Sequence, residues 1–148
     1  SVFFKNLNKE FVQDNEAFSE DANVLRGLHY QIADEQCKLI HVVTGRIKDV
    51  IVDIRKDSPS FGKSLSFNLD SKNHHMLFVP EGFAHGYLVL EEKTLVMYKC
   101  TSYYNPKKEY GIKWDDPDIN IDWGIVSPVM SDKDSNLPFL KNQSNLPL

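Results

Sequence analysis

The stretch Lys38-Leu39-Ile40-His41-Val42-Val43-Thr44-Gly45-Arg46-Ile47-Lys48-Asp49-Val50-Ile51-Val52-Asp53-Ile54 decides the fold class. Both halves are dense in β-branched residues, which fit a pleated surface, and Gly45-Arg46 supplies a tight turn between them. The pattern predicts a strand over 38–44, a turn, and a return over 47–54, paired as a hairpin. On the returning strand a period of two sets Ile47, Asp49, Ile51 and Asp53 on one face and Lys48, Val50, Val52 and Ile54 on the other. Two carboxylates thus share a side with isoleucines. On a solvated strand that is ordinary, and it is the simpler account of Asp53. Asp49, inside a small barrel, would need a hydrogen-bonding or cationic partner.

The same rhythm continues outward. Residues 64–69 alternate strictly, which predicts a strand with one buried face, and Asp57-Ser58-Pro59 and residues 70–73 read as turns. Strands over 75–79 and 86–90 flank the Pro80-Glu81-Gly82 corner, and another over 94–100 follows the charged turn Glu91-Glu92-Lys93. At least six strands and scarce helical periodicity make the chain all-β, a sandwich or barrel. From Thr101 onward, Tyr103-Tyr104-Asn105-Pro106, Trp114-Asp115-Asp116-Pro117 and Pro128 read as an irregular C-terminal segment wrapping a barrel end. Residues 141–148 read as a loose tail. With 148 residues and no repeat or linker, the expectation is one domain over 1–140.

Composition excludes several classes of partner. A net charge of −4 without a Lys/Arg cluster argues against nucleic acid, while leaving room for a local basic pocket that takes a diphosphate. No apolar run approaches the ~20 residues of a membrane span. Ser1-Val2-Phe3-Phe4-Lys5 lacks the apolar stretch of a signal peptide, so the expected location is the cytoplasm. Cys37 and Cys100 match no metal-ligand spacing and are too few for a disulfide framework, so they read as free thiols.

The candidate chemistry begins at Val24-Leu25-Arg26-Gly27-Leu28-His29-Tyr30-Gln31. His29 is a candidate general base or, alternatively, a satisfied core histidine. Arg26 three residues before it and Lys38 nine after tilt the balance toward a site, because buried cations are costly unless an anion answers them. Pro80-Glu81-Gly82-Phe83-Ala84-His85 has the Pro-x-Gly-x-x-His pattern of a metal-binding cupin's second motif. The first motif of such a cupin has a His-x-His pair with a nearby glutamate, the region from His29 to Gly45 offers no such pair, and His74-His75 would point to opposite strand faces, so the reading favours no metal. Tyr98 is either core or acid. Ser131-Asp132-Lys133-Asp134 fits a helix-capping pattern, so Asp134 either caps a turn or serves the site.

In this order the motifs resemble the dTDP-4-dehydrorhamnose 3,5-epimerases, cupin-type enzymes that invert two carbons of a nucleotide-linked keto sugar. The likeness runs from Phe11-Val12-Gln13-Asp14-Asn15 through Arg26 to Gln31, Gly45 to Gly62, Pro80 to Leu90 and Tyr98 to Trp123, and ends at Asp134. It implies a double-stranded β-helix jelly roll, a homodimer whose N-terminal strands cross to the partner, and no cofactor. Carried over by position, it implies His29 as base, Asp134 as the carboxylate orienting it, Tyr98 as acid and Lys38 as the cation facing the enolate oxygen. Asp49 would support the Lys38 and His29 cluster. Arg26 and His85 would sit near the diphosphate, and Gln13, Asn15, Gln31, Tyr104 and Lys133 would contact nucleotide or sugar. The family's N-terminal arginine and glutamate positions read Ser1 and Asn6 here. A non-catalytic sugar-nucleotide-binding cupin, a related keto-isomerase and a metal-dependent cupin oxygenase are the competing functions.

Overall fold

A computed structural model describes residues 9–148; the Ser1 and Asn6 positions, and any strand exchange by the first eight residues, lie outside them. Among the described residues nine strands run in chain order: β1 (Gln13–Ser19), β2 (Leu25–Gln31), β3 (Lys38–Thr44), β4 (Arg46–Asp53), β5 (Ser64–Asp70), β6 (Met76–Val79), β7 (Phe83–Val89), β8 (Thr94–Cys100) and β9 (Glu109–Gly111). They form two antiparallel sheets, ordered β1-β8-β3-β6 and β5-β4-β7-β2-β9. This is the all-β jelly roll of cupin type. A single helical turn, α1 (Asp132–Ser135), and a 3₁₀ turn, Leu140–Asn142, follow in the C-terminal segment.

Two apolar layers hold the sheets. Ile40, Val42, Ile47, Ile51, Val79, Val89 and Val96 pack between them. On the far face of the five-stranded sheet Leu25, Leu28, Val50, Val52 and Leu88 are covered by Ile112, Ile119, Trp123 and Leu140 of the C-terminal segment. β4 is therefore buried on both faces, which accounts for the unbroken run Val50-Ile51-Val52 where a half-solvated strand would alternate.

Three expectations differ from the fold. Residues 38–54 are not a hairpin, because β3 pairs with β6 and β8 while β4 pairs with β5 and β7. The Gly45 turn carries the chain from one sheet to the other. Gly45 has φ +80°, and a Cβ there would fall 2.0 Å from the Thr94 hydroxyl, whose oxygen accepts from Arg46 N–H. In β5 the apolar face is largely open, with Leu65 59% and Phe67 36% exposed, because the strand sits at a sheet edge with a neighbour on one side only. Residues 141–148 are no loose tail. Tyr30 Oη donates to Asn145 O at 2.6 Å, Lys56 N–H donates to Pro147 O at 3.1 Å, Leu146 packs on the outer layer and Pro147 is buried.

Candidate active site

A cleft of about 420 Å³ opens at one end of the space between the sheets, within the range of ligand pockets. Its first wall depends on an irregularity in β2. Arg26 stands opposite Tyr87 and His29 opposite His85, so three residue steps on β2 span two on β7. On a regular strand Arg26 and His29 would point to opposite faces; this β-bulge turns both toward the cleft. Gly27 and Gly86 make it fit. A Cβ on Gly27 would lie 2.6 Å from His85 O, and one on Gly86 2.6 Å from Arg26 O, so the two backbones meet with no room for side chains.

His29 is gripped by carboxylates. Asp134 Oδ1 accepts from His29 Nε2 at 2.7 Å, and its Oδ2 accepts from Gly27 N–H at 3.0 Å. Ser131 Oγ accepts from Asp134 N–H, which caps α1, but the Asp134 carboxylate does not return the bond to Ser131. The capping pattern thus serves to aim Asp134 at His29. Burial alone would raise the Asp134 carboxyl; the His29 and Gly27 hydrogen bonds and the Lys133 charge outweigh it and hold the group below the ordinary carboxylate range. Since Nε2 is committed to Asp134, Nδ1 is the nitrogen free to accept a proton in the neutral ring. Nδ1 lies 3.8 Å from Glu109 Oε1, so an imidazolium formed there meets a carboxylate at each nitrogen.

The second wall belongs to the other sheet. Lys38 faces Cys100 in register and Tyr98 stands opposite Ile40, so Lys38, Tyr98 and Cys100 share the inner face. Asn15 and Gln13, opposite Tyr98 and Cys100, extend it. Burial raises the Tyr98 phenol, keeping it protonated, and lowers the Lys38 ammonium. Among the described residues Lys38 makes no hydrogen bond or ion pair; only the more distant charges of Cys100, Glu109 and Asp49 oppose its loss of charge.

The cleft gathers most of the residues singled out from sequence: Arg26, His29, Lys38, His85, Tyr98, Asp134 and Lys133, with Gln13, Asn15 and Tyr104 toward its more exposed end. Two differ from expectation. Asp49 does not bond Lys38 or His29; both its oxygens face His85 Nε2, at 2.9 and 3.0 Å, in a buried pair fixed by adjacent strands β4 and β7. Gln31 is consumed by backbone: its Nε2 donates to Asp34 O and Tyr103 O, and its Oε1 accepts from Asn105 N–H. It staples two loops behind the cleft with both amide hydrogens spent, leaving only a second lone pair on Oε1. Sequence reading missed Glu109. It half-buries its carboxylate beside His29, accepts from Tyr104 Oη at 2.9 Å and from the Lys133 ammonium, and these partners hold it below the ordinary carboxylate range against the opposing effect of burial. Nothing in its spacing marks it, because it sits on the three-residue strand β9 inside a segment with no strand rhythm. No three His, Cys, Asp or Glu side chains converge as a metal site among the described residues.

Residues 2–142 match a family model described as dTDP-4-dehydrorhamnose 3,5-epimerase. A relative of that name from Methanothermobacter thermautotrophicus is 46% identical over 140 residues, covering 92% of this chain and 75% of the relative. Another from Shigella flexneri is 49% identical over 128 residues, covering 86% and 70%. The crystal structure of dTDP-6-deoxy-D-glucose-3,5-epimerase from Legionella pneumophila in complex with dTDP-4-keto-L-rhamnose superposes with a TM-score of 0.93. It is 40% identical, and the match covers 99% of this chain and 81% of that one.

Proposed function

The chain belongs to the dTDP-4-dehydrorhamnose 3,5-epimerase family and is an epimerase, an enzyme of the isomerase class; on that premise we propose how its cleft inverts carbons next to a ketone. The substrate is a dTDP-linked 4-keto-6-deoxyhexose, converted to dTDP-4-dehydrorhamnose for deoxysugar and cell-surface polysaccharide synthesis. His29 removes a proton at C3 or C5 through Nδ1. The electron pair moves into the 4-keto group, whose oxygen becomes an enolate, so the substrate is its own electron sink and no organic cofactor is required. Lys38 neutralises that oxygen, and the Tyr98 O–H returns a proton from the other side.

The observation carrying this reading is that base and acid stand on different sheets, His29 on β2 and Tyr98 on β8, across one cleft. A sugar ring between them meets one group on each face, and inversion needs that arrangement. Arg26 and Lys133 supply positive charge for the diphosphate, while Gln13, Asn15 and Tyr104 at the open end suit the nucleoside. The test is solvent deuterium uptake into the dTDP-4-keto sugar, followed by NMR after exhaustive chelation. Label should enter C3, C5 or both. Measurable binding with no label at either carbon would overturn the reading.

We further infer a homodimer. The outward face of the four-stranded sheet carries Phe18 of β1 opposite Leu95 of β8, and Met97 of β8 and Met76 of β6 on either side of His41 of β3, with Phe18 53% and Met76 54% exposed. An apolar stripe of this kind on a soluble enzyme calls for a cover, and a second copy supplies a matching one. Light scattering should report a dimer for the wild type and a monomer for the Phe18→Asp, Met97→Asp double variant. A monomeric wild type would refute it. The buried free thiols Cys37 and Cys100 suit a reducing cytoplasm, and no helix among the described residues is long and apolar enough to cross a membrane.

A further inference from the structure

The mechanism above leaves Tyr87 unused, although this residue lines the cleft. It is 4% exposed, and its hydroxyl is the one buried side-chain nitrogen or oxygen among the described residues without a hydrogen-bond partner. Buried polar atoms are nearly always paired, and a phenylalanine would fill the same space with nothing left unsatisfied. No acceptor among the described residues lies within reach of its proton. Across β7, Tyr87 faces Arg26 on one side and Asp49 on the other. Arg26 only donates, and both Asp49 oxygens are turned to His85 Nε2. The His85 ring, two residues earlier on the same strand face, lies 6.2 Å away and tilted by 41°. Burial raises the phenol to about 12, so the group is a donor at any working pH.

A ligand entering the cleft can bring the acceptor. Exposure along the cleft tells which part of the ligand brings it. Tyr104 at the mouth is half exposed, whereas Tyr87, His85 and Cys100 at the floor are buried. A nucleotide sugar that places its hexose between His29 and Tyr98 seats the hexose at this floor and leaves its nucleoside at the mouth. We propose that the Tyr87 hydroxyl is a specificity-determining contact, donating its hydrogen bond to a hydroxyl oxygen of the hexose other than the ketone that Lys38 faces. The proposal rests on the epimerase reading for the orientation of the ligand. A site that hydrogen-bonds a substrate hydroxyl discriminates strongly between sugars that carry it and those that do not, because the donor is otherwise left buried and unpaired.

Tyr87→Phe tests this, since it removes one oxygen that the free protein does not use. Three measurements are needed on the purified full chain: the melting temperature, calorimetric binding of dTDP and of unreactive dTDP-glucose, and kcat/KM for the dTDP-4-keto sugar. The expected result is a melting temperature equal to or above the wild type, unchanged dTDP affinity, and a 10-fold or greater loss in dTDP-glucose affinity and in kcat/KM. A lowered melting temperature would make the hydroxyl structural, equal losses for dTDP and dTDP-glucose would move the contact to the nucleotide, and unchanged sugar affinity would remove the role. Each of these overturns the proposal. The two binding measurements do not depend on turnover, so a wild type that binds dTDP-glucose but exchanges no proton would sink the epimerase reading while Tyr87 is still judged on affinity.

Discussion

His29→Ala should abolish deuterium exchange into the keto sugar, with a loss of about 10² to 10⁴ or more in rate, while dTDP binding survives. The open end of the cleft proposed for the nucleoside, at Gln13, Asn15 and Tyr104, is built without His29. Asp134→Asn should fall nearly as far, and for a geometric reason. Asp134 accepts two hydrogen bonds, from His29 Nε2 and from Gly27 N–H. An asparagine has one oxygen to offer. With that oxygen on His29, its amide group meets Gly27 N–H donor to donor. With the amide turned to His29, Nε2 must become the acceptor, the ring proton moves to Nδ1, and the nitrogen that should take the substrate proton is blocked. A wrong tautomer of this kind costs a serine protease about 10⁴ in kcat. Single-turnover exchange monitored by NMR, with dTDP affinity as the control, is the measurement. Exchange at the wild-type rate by His29→Ala would move the base elsewhere.

The parts of this site legible in the sequence were those carried by local pattern. The alternation over 94–100 places Tyr98 on an inward face, and the strand over 38–44 places Lys38 beside it. Arg26 and His29 stand close in sequence, but a period of two would separate them, and only the backbone approach of Gly27 to Gly86 restores them to one face. That approach joins positions 59 residues apart, which no local pattern encodes. The same limit explains the false hairpin. A glycine turn between two β-branched runs reports a reversal of direction, and reversal is equally served by a corner between sheets; pairing partners far along the chain decide which occurs. A carboxylate at Asp49 on a barrel strand calls for a partner, and that partner, His85, is set by β4 lying beside β7, which no local pattern encodes. Glu109 carries no local signal, since it reaches His29 from β9, a three-residue strand whose one strand partner is β2.

Lys38→Met should destroy activity and make the protein more stable. The partly buried ammonium has no hydrogen-bond or ion-pair partner among the described residues, and desolvation lowers it from the ordinary lysine value of 10.5. An isolated buried charge is a standing cost. Replacing buried ionic groups by apolar ones of similar volume often stabilises by about 1–4 kcal/mol, and at this chain length each kcal/mol raises Tm by roughly 2–4 °C. The pH dependence gives a sharper signature. Because the folded-state value lies below the unfolded one, the wild type is penalised in full at pH below the folded value, and the penalty fades as pH rises toward 10.5, where the unfolded chain also gives up its proton. The stability gain of Lys38→Met should therefore be largest at neutral pH and shrink in alkali. Catalysis should respond in the opposite sense, since removing a cation aimed at a developing oxyanion costs about 10² to 10³ or more in kcat. Thermal melts at neutral and alkaline pH, paired with kcat on the keto sugar, check both halves. A variant that is less stable at neutral pH would mean that Lys38 holds the fold together and is not a charge kept unpaired for the substrate.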